Sequence, residues 1–323
     1  MEISKNKQKL ALVTGGAGFI GSHLCERLVR EGCRVISLDN YFAGSPANHV
    51  PGVEYRTGHT KDIAEHISEI PDIMYHLGEY SRVAKSLEEP DIVFDLNISG
   101  TFGVLEFWRR AKCKLVYAGS STKGVGARED GVVGRDLAPY NWMKAVNSEL
   151  VVNYGRWYSL SYAVTYFYNV YGPRERSIEE YGTVIETWRR STLEGKSLQV
   201  REPGTQRRAF THVLDTVEGL VLAGEKGEGD NFGIGTDETF SLLEVAQMFG
   251  GEIEMLPQTK SSRTSPDVDS MKIRALGWSP IHHLHDYIPT THILKRKFSF
   301  TLFIICQGRL VVLRQRFKKL PTA

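Results

Sequence analysis

Cysteine is scarce in this chain. Four occur in 323 residues (Cys25, Cys33, Cys113 and Cys306), and no pair has CxxC or another metal-type spacing. That argues against a disulfide scaffold and a zinc finger, and reduced thiols in a cytoplasmic protein are expected. Long apolar runs are missing too. The longest in the C-terminal part, FSFTLFIIC, is well below the roughly 18 residues that a membrane-spanning helix needs. The first residues are polar and an apolar strand begins almost at once, so no secretory leader is expected. The formal net charge is only +2, but it is unevenly placed. His292 to Ala323 holds eight of the 40 Lys and Arg and no acid, which leaves the other 291 residues 32 bases against 38 acids, a net of −6. That body carries no nucleic-acid footprint; only the tail is basic. The sequence shows no internal repeat.

What is there is a globular composition, 41% hydrophobic and 24% charged, and length for about two domains. The first half alternates strand and helix signals. KLALVTG, RVISLD, VEYRTG, DIMYHL, KLVYAGS and YAVTYFYN are compact apolar runs of the buried parallel type. Between them lie helical patterns at 19–31, about 91–111 and 140–157. The fold class expected is α/β: a Rossmann-type, doubly wound parallel sheet with helices on both faces. After Asn169 Gly and Pro become frequent and a smaller α/β substrate-binding domain is expected. The boundaries read as 8–170 for the first domain with returning segments near 208–235, then 171–207 and 236–286 for the second, and 287–323 for a basic tail.

TGGAGFIG follows the first strand and opens a helix, with Gly15, Gly18 and Gly21 spaced GxxGxxG. The first glycine permits the tight turn, the second a close approach to a pyrophosphate, and the third close helix packing. The helix N-terminus offers N–H groups to the phosphates. Asp39 ends the second strand in VISLDN. A carboxylate there accepts from a ribose 2′-hydroxyl and repels a 2′-phosphate, which favours NAD over NADP.

In YNWMK, Tyr140 and Lys144 stand at i and i+4, on one helix face. A phenol of ordinary pKa ~10 is a poor base at neutral pH. An ammonium and a positive nicotinamide ring nearby favour the phenolate. A serine hydroxyl from the GSST segment can hold a substrate oxygen beside it. The constellation suits removal of a proton from an alcohol whose carbon gives hydride to NAD. On its own Tyr-x-x-x-Lys is common; behind a dinucleotide loop and a strand ending in GSST the catalytic reading is preferred.

With these motifs the chain resembles the extended short-chain dehydrogenase/reductases, in the nucleotide-sugar epimerase and dehydratase group typified by UDP-galactose 4-epimerase. The resemblance covers about residues 8–280 and rests on TGGAGFIGSHL, LDN, HLGEYSRVAKSLEEP, NISGT, the serine cluster, YNWMK, NVYGPRE, RRAFTHVLD and LGWSP. It implies Tyr140 as base, Lys144 as its tuner and nicotinamide-ribose ligand, and Ser120 as holder of the reacting hydroxyl, with Ser121 and Thr122 as fallback. It places Phe19, Ile20, Asp39, Asn40, Leu77 and Gly78 around NAD, and Asn97 as a brace between sheet and helix. Asn169 contacts the sugar nucleotide, and Arg208 and Arg263 pair with its diphosphate. A homodimer through the helices of residues 92–111 and Tyr140 is implied as well.

Several positions depart from the group's pattern. His59 replaces an acid near adenine, Ala209 replaces an Asp, and the stretch from Arg263 to Asp269 is short. Dehydratases of the group usually carry Asp–Glu beside the serine-cluster threonine, and decarboxylases a Glu; here Ser121, Thr122 and Lys123 follow Ser120. C4 epimerisation of a UDP-hexose or UDP-N-acetylhexosamine is therefore expected. The alternatives are a dehydratase, decarboxylase or ketoreductase of the same group, or a non-catalytic NAD-binding regulatory protein. HHLH (His282, His283, His285) has no finger spacing and no nearby Cys, so no metal site is expected. The tail reads as a hairpin around Gln307-Gly308, a basic membrane-surface element or an extension with little order.

Overall fold

The computed structural model describes residues 8–121, 132–175, 182–258, 268–289, 302–306 and 309–313. The first six apolar runs become strands: β1 (Leu10–Thr14), β2 (Arg34–Asp39), β3 (Val53–Thr57), β4 (Ile73–His76), β5 (Lys114–Ser120) and β6 (Tyr162–Phe167). They run parallel, in the order β6-β5-β4-β1-β2-β3. The order reverses between β1 and β4, so their carboxyl ends open a crevice at the switch point. Both faces of β1, β4 and β5 are buried, which is why they read as continuous apolar runs rather than alternating ones, whereas the edge strand β3 is partly exposed.

The helices follow their periodicity. In the first half these are α1 (Phe19–Arg30), the single turns α2 (Ile63–His66) and α3 (Pro90–Val93), α4 (Gly100–Ala111) and α5 (Pro139–Tyr158). A π-helical segment at Phe94–Ser99 joins α3 to α4 and carries Asn97. Leu24, Cys25 and Leu28 of α1 close one core on one side of the sheet. Val104, Leu105 and Trp108 of α4, with Val151 and Tyr154 of α5, close another.

The remaining elements are β7 (Val170–Tyr171), α6 (Val184–Glu194), β8 (Leu198–Arg201), β9 (Arg207–Ala209), β10 (Thr211–His212), α7 (Val213–Lys226), β11 (Gly229–Ile234), β12 (Thr239–Ser241), α8 (Leu242–Phe249), β13 (Ile253–Leu256) and α9 (Met271–Arg274). β11 adds a seventh parallel strand beside β6, and Val217, Leu220 and Val221 of α7 join the core with α1. Ile273 and Trp278 pack there too. A third core holds Ile185 and Trp188 of α6, Leu198 and Val200 of β8, and Val245 and Phe249 of α8. Leu284 and Ile288 belong to it, both under 2% exposed, so the chain up to 289 is part of the folded body and the boundary expected at 287 falls inside it. In the tail, β14 (Leu302–Cys306) and β15 (Arg309–Leu313) pair antiparallel, as a hairpin requires. No helix among the described residues is long and apolar enough to cross a membrane.

Candidate active site

The carboxyl ends of β1, β4 and β5 and the first turns of α1 and α5 meet around one cavity of about 340 Å³. Its first end is made mostly of backbone. Gly15 follows β1 with φ +74°, and a Cβ there would lie 2.9 Å from the Cα of Gly78. Two main chains thus approach more closely than a side chain permits. A Cβ at Gly21 would meet the Gly15 carbonyl oxygen at 2.1 Å. Gly18 caps α1, and Phe19, Ile20 and Gly21 of its first turn line the cavity, where helix-end amides favour an anion. Leu77 and Gly78 form the opposite wall, with Asn40 at the rim.

Asp39 closes this end. Its carboxylate accepts from Ala17 N at 2.9 Å and Tyr41 N at 2.8 Å. Burial pushes its carboxyl above the ordinary aspartate value, and those two N–H groups oppose the shift. The residue is fixed to the glycine loop while still lining the cavity, so its remaining lone pairs are free to accept a ribose hydroxyl. The residues present therefore fit a dinucleotide.

The other end is made of side chains. α5 starts with Pro139 at its first position, where a missing N–H costs nothing. Tyr140 and Lys144, one turn apart, are 9% and 5% exposed and both line the cavity. Ser120 ends β5 beside them, and Ser121 follows on the same wall. Asn169 lines the cavity after β6 and donates to Ala209 O at 2.8 Å. Arg208, on β9, lines a smaller adjoining cavity of about 270 Å³ with Arg82, Thr183 and Phe210. Thr122 and Arg263 lie outside the described residues. All other expected site residues thus surround these two connected spaces.

The sequence reading missed Glu79, which lines the cavity directly after Gly78. Its side chain is 3% exposed and pairs with Lys144. Lys144 also donates to Ala118 O and, at 3.3 Å, to Tyr117 Oη. Glu79 accepts further bonds from Thr101 Oγ1 at 2.6 Å, Asn147 Nδ2 at 2.8 Å and Tyr117 Oη at 3.0 Å. Burial alone would raise its carboxyl; the charge of Lys144 and the bonds from Lys144 and Thr101 outweigh this and hold it below the usual glutamate value. Removing one partner of such a buried pair typically costs about 3–5 kcal/mol. The available signal was an acid set one residue past an apolar strand end and its glycine.

Arg82, half-buried, was missed as well and lines the same cavity. Burial lowers its pKa while the Glu175 carboxylate and Tyr140 oppose that. Glu175 itself is pushed up to about 7 by burial, against the bonds it accepts from Thr183 and the charge of Arg82. Asn97 braces as expected: Oδ1 accepts from Tyr80 N at 2.6 Å and Nδ2 donates to Tyr80 O at 3.2 Å. His59 sits 3.1 Å from Asp95. In HHLH, His282 bonds Asp215 at 2.8 Å and stacks on His212, whereas His283 and His285 lie on the surface with Glu238, their ligand atoms within 4.8 Å of one another.

The parallel order 3-2-1-4-5-6, the glycine turn at the switch point and the acid ending β2 define a dinucleotide-binding α/β protein with a Tyr/Lys/Ser site. Residues 11–235 match the model of the NAD dependent epimerase/dehydratase family, and the chain belongs to that family. NAD is its cofactor. UDP-glucuronic acid decarboxylase 6 of Arabidopsis thaliana is 30% identical over 304 residues, 86% of each chain. A UDP-glucose 4-epimerase from Thermotoga maritima, solved with UDP-glucose, is 28% identical with TM-score 0.80, covering 89% of this chain and 99% of that one. The UDP-glucose 4-epimerase of Thermus thermophilus in complex with NAD is 27% identical with TM-score 0.77, covering 90% and 99%.

Proposed function

We propose that this protein is a nucleotide-sugar 4-epimerase that turns a UDP-hexose or UDP-N-acetylhexosamine over through a 4-keto intermediate. The observation that carries the reading is the convergence of Tyr140, Lys144 and Ser120 on one cavity, in a chain whose Ser121-Thr122-Lys123 segment places no acid beside Thr122 for elimination. NAD, when bound, accepts hydride from the sugar carbon and returns it. Gly15, Gly18, Phe19, Ile20, Leu77, Gly78 and Asp39 would hold it, with Asn40 at the adenosine side and Lys144 at the nicotinamide ribose. Ser120 donates to or accepts from the C4 oxygen and keeps it beside Tyr140. Tyr140 Oη takes the hydroxyl proton, and the Lys144 charge favours the phenoxide that does so. The proton stays on Tyr140 while the keto sugar turns, and goes back to the oxygen on the other face. Asn169 and Arg208 anchor the nucleotide and its diphosphate, with Arg263 as a further diphosphate ligand, so that the sugar pivots without leaving.

A second reading, decarboxylation of a UDP-uronic acid, is favoured by Arg82, whose guanidinium lines the cavity and could pair a carboxylate, and by the similarity to the Arabidopsis enzyme. Incubation with UDP-glucose, UDP-N-acetylglucosamine and UDP-glucuronate tests both. A C4 epimer of either neutral sugar supports the first, and loss of CO2 from the uronate with no epimer supports the second. We place the protein in the cytoplasm as a homodimer. Phe102 of α4 (54% exposed) and Trp142 and Trp157 of α5 (44% and 63%) support pairing of those helices with a second copy. We also propose two domains, 8–170 with returning segments near 208–235, and 171–207 with 236–289, followed by the basic tail.

A further inference from the structure

We propose that Glu79 is a positioning residue for the catalytic pair: its carboxylate is the counter-charge that holds Lys144 in one place as an ammonium and sets the pH window of turnover. The proposal rests on the reading of Tyr140 as the base. Glu79 collects donors from three elements, Thr101 of α4, Tyr117 of β5, and Lys144 and Asn147 of α5. Few geometries satisfy all four, so Lys144 has little freedom once Glu79 is in place.

The same carboxylate orders a buried chain that reaches the cofactor loop. Gly78 N donates to Thr14 Oγ1 at 3.1 Å, Thr14 Oγ1 lies 2.7 Å from His76 Nδ1, and His76 Nε2 lies 3.1 Å from Thr101 Oγ1. Thr101 lies 2.6 Å from Glu79, and an ionised carboxylate only accepts, so the Thr101 proton must point to Glu79. Thr101 then accepts from His76, which places the imidazole proton on Nε2 and leaves Nδ1 to accept from Thr14. The direction of every link follows from the charge on Glu79. The chain runs from a Gly78 amide on the cofactor wall to the lysine beside the base.

The titratable and charged groups facing the pair are His76 from β4, Tyr117 from β5 and Tyr140 from α5. Of these His76 is held neutral, its pKa lowered to about 4 by burial. Tyr117 is held protonated, pushed up by burial and by Glu79. The carboxylate is therefore the one anion close to Lys144 among the described residues in the resting site. Without it, a phenoxide at Tyr140 meets less repulsion and forms at lower pH, and a buried amine without counter-charge gives up its proton at lower pH. Both limbs of the pH–rate profile then move the same way.

The test is kcat/KM against pH for Glu79→Gln and Glu79→Asp in the holoenzyme. For Glu79→Gln, both limbs are expected to move down by about one pH unit. For Glu79→Asp, which keeps the charge on a shorter stem, the limbs are expected to stay while kcat falls. Limbs of Glu79→Gln that coincide with those of the wild type would overturn the proposal. A second readout needs no activity. In cofactor-free protein, the melting temperatures of Glu79→Gln, Lys144→Met and the double variant form a cycle. The double variant is expected to melt higher than the sum of the single losses predicts, because it leaves no lone buried charge. Additive losses contradict the pairing, and the cycle still reads out if Glu79→Gln alone folds poorly. Tyr140→Phe separates the two levels. If it remains active the base reading fails; if it is dead while Glu79→Gln keeps its limbs, only the role of Glu79 fails.

Discussion

The two ends of the cavity are built by opposite means. The cofactor end is main chain, with Gly15 and Gly78 in near contact and Asp39 tied to two backbone N–H groups. The catalytic end is side chain, a buried network in which Lys144, Glu79, Tyr117, Asn147, Thr101 and His76 satisfy one another. The first kind of site tolerates change at most side chains but not at its glycines. The second has few free positions, because each group is the partner of another and an orphaned buried polar atom is costly.

The sharpest way to break the catalytic end is Tyr140→Phe. It removes one oxygen from the cavity wall and is expected to lower turnover by about 10²–10⁴-fold while NAD binding and melting temperature stay near wild type. Steady-state rates and a cofactor titration check this. Loss of folding instead of rate would mean that Tyr140 is part of the structural network and not the base.

At the cofactor end the largest expected effect is smaller. Asp39→Asn keeps the shape but gives up the charged acceptor, so NAD affinity is expected to fall about 10–100-fold, the worth of a hydrogen bond to a charged group. Discrimination against NADP should narrow at the same time. Binding of both nucleotides to stripped protein measures it, and unchanged selectivity would remove Asp39 from the ribose site.

The network also predicts an acid limb of stability. His76 is fully buried, with a folded pKa of about 4 set by desolvation, against about 6.5 when unfolded. Between those values the unfolded chain binds the extra proton, so this contribution is complete above pH 6.5 and is lost as pH falls toward 4. The loss is roughly 3 kcal/mol by linkage. Glu79, held below its ordinary value, adds a further loss at lower pH still. Urea unfolding at several pH values between 7.5 and 4.5 reads it out, and a flat stability across that range would contradict the neutral, buried His76.

The smallest effect is expected from the tail. Truncation after Pro289 spares Ile288 and the third core and removes the eight bases, so turnover should be unchanged. If the tail touches an anionic surface, the full chain should bind acidic liposomes in a salt-dependent way and the truncated chain should not, at about 1 kcal/mol per base near the surface. Equal binding by both forms rules out the membrane contact.

The contrast between the two ends also explains what the sequence reveals. β2 and β5 were readable to the residue, since a strand buried on both faces is a short unbroken apolar run. α1 was readable to within one residue because Gly18 starts it. The cofactor end was legible because Gly15, Gly18, Gly21 and Asp39 lie close together in the chain and their spacing is the geometry. Tyr140 and Lys144 were legible because one helical turn relates them. Glu79 was not, for it matters through Thr101, Tyr117 and Lys144, which come to it from three other elements across the sheet. Arg82 escaped for the same reason, and Ile288 because apolar residues in a basic stretch look like the tail that follows them.

One measurement tests the central claim most directly. A UDP-sugar carrying deuterium at C4 is converted by the holoenzyme in ordinary water and the product is examined by NMR. If Tyr140 takes the hydroxyl proton while hydride leaves C4 and returns to it, the product is the C4 epimer with its deuterium kept at C4. Deuterium lost to solvent, or a product that has shed CO2 or water without inversion at C4, would contradict the account.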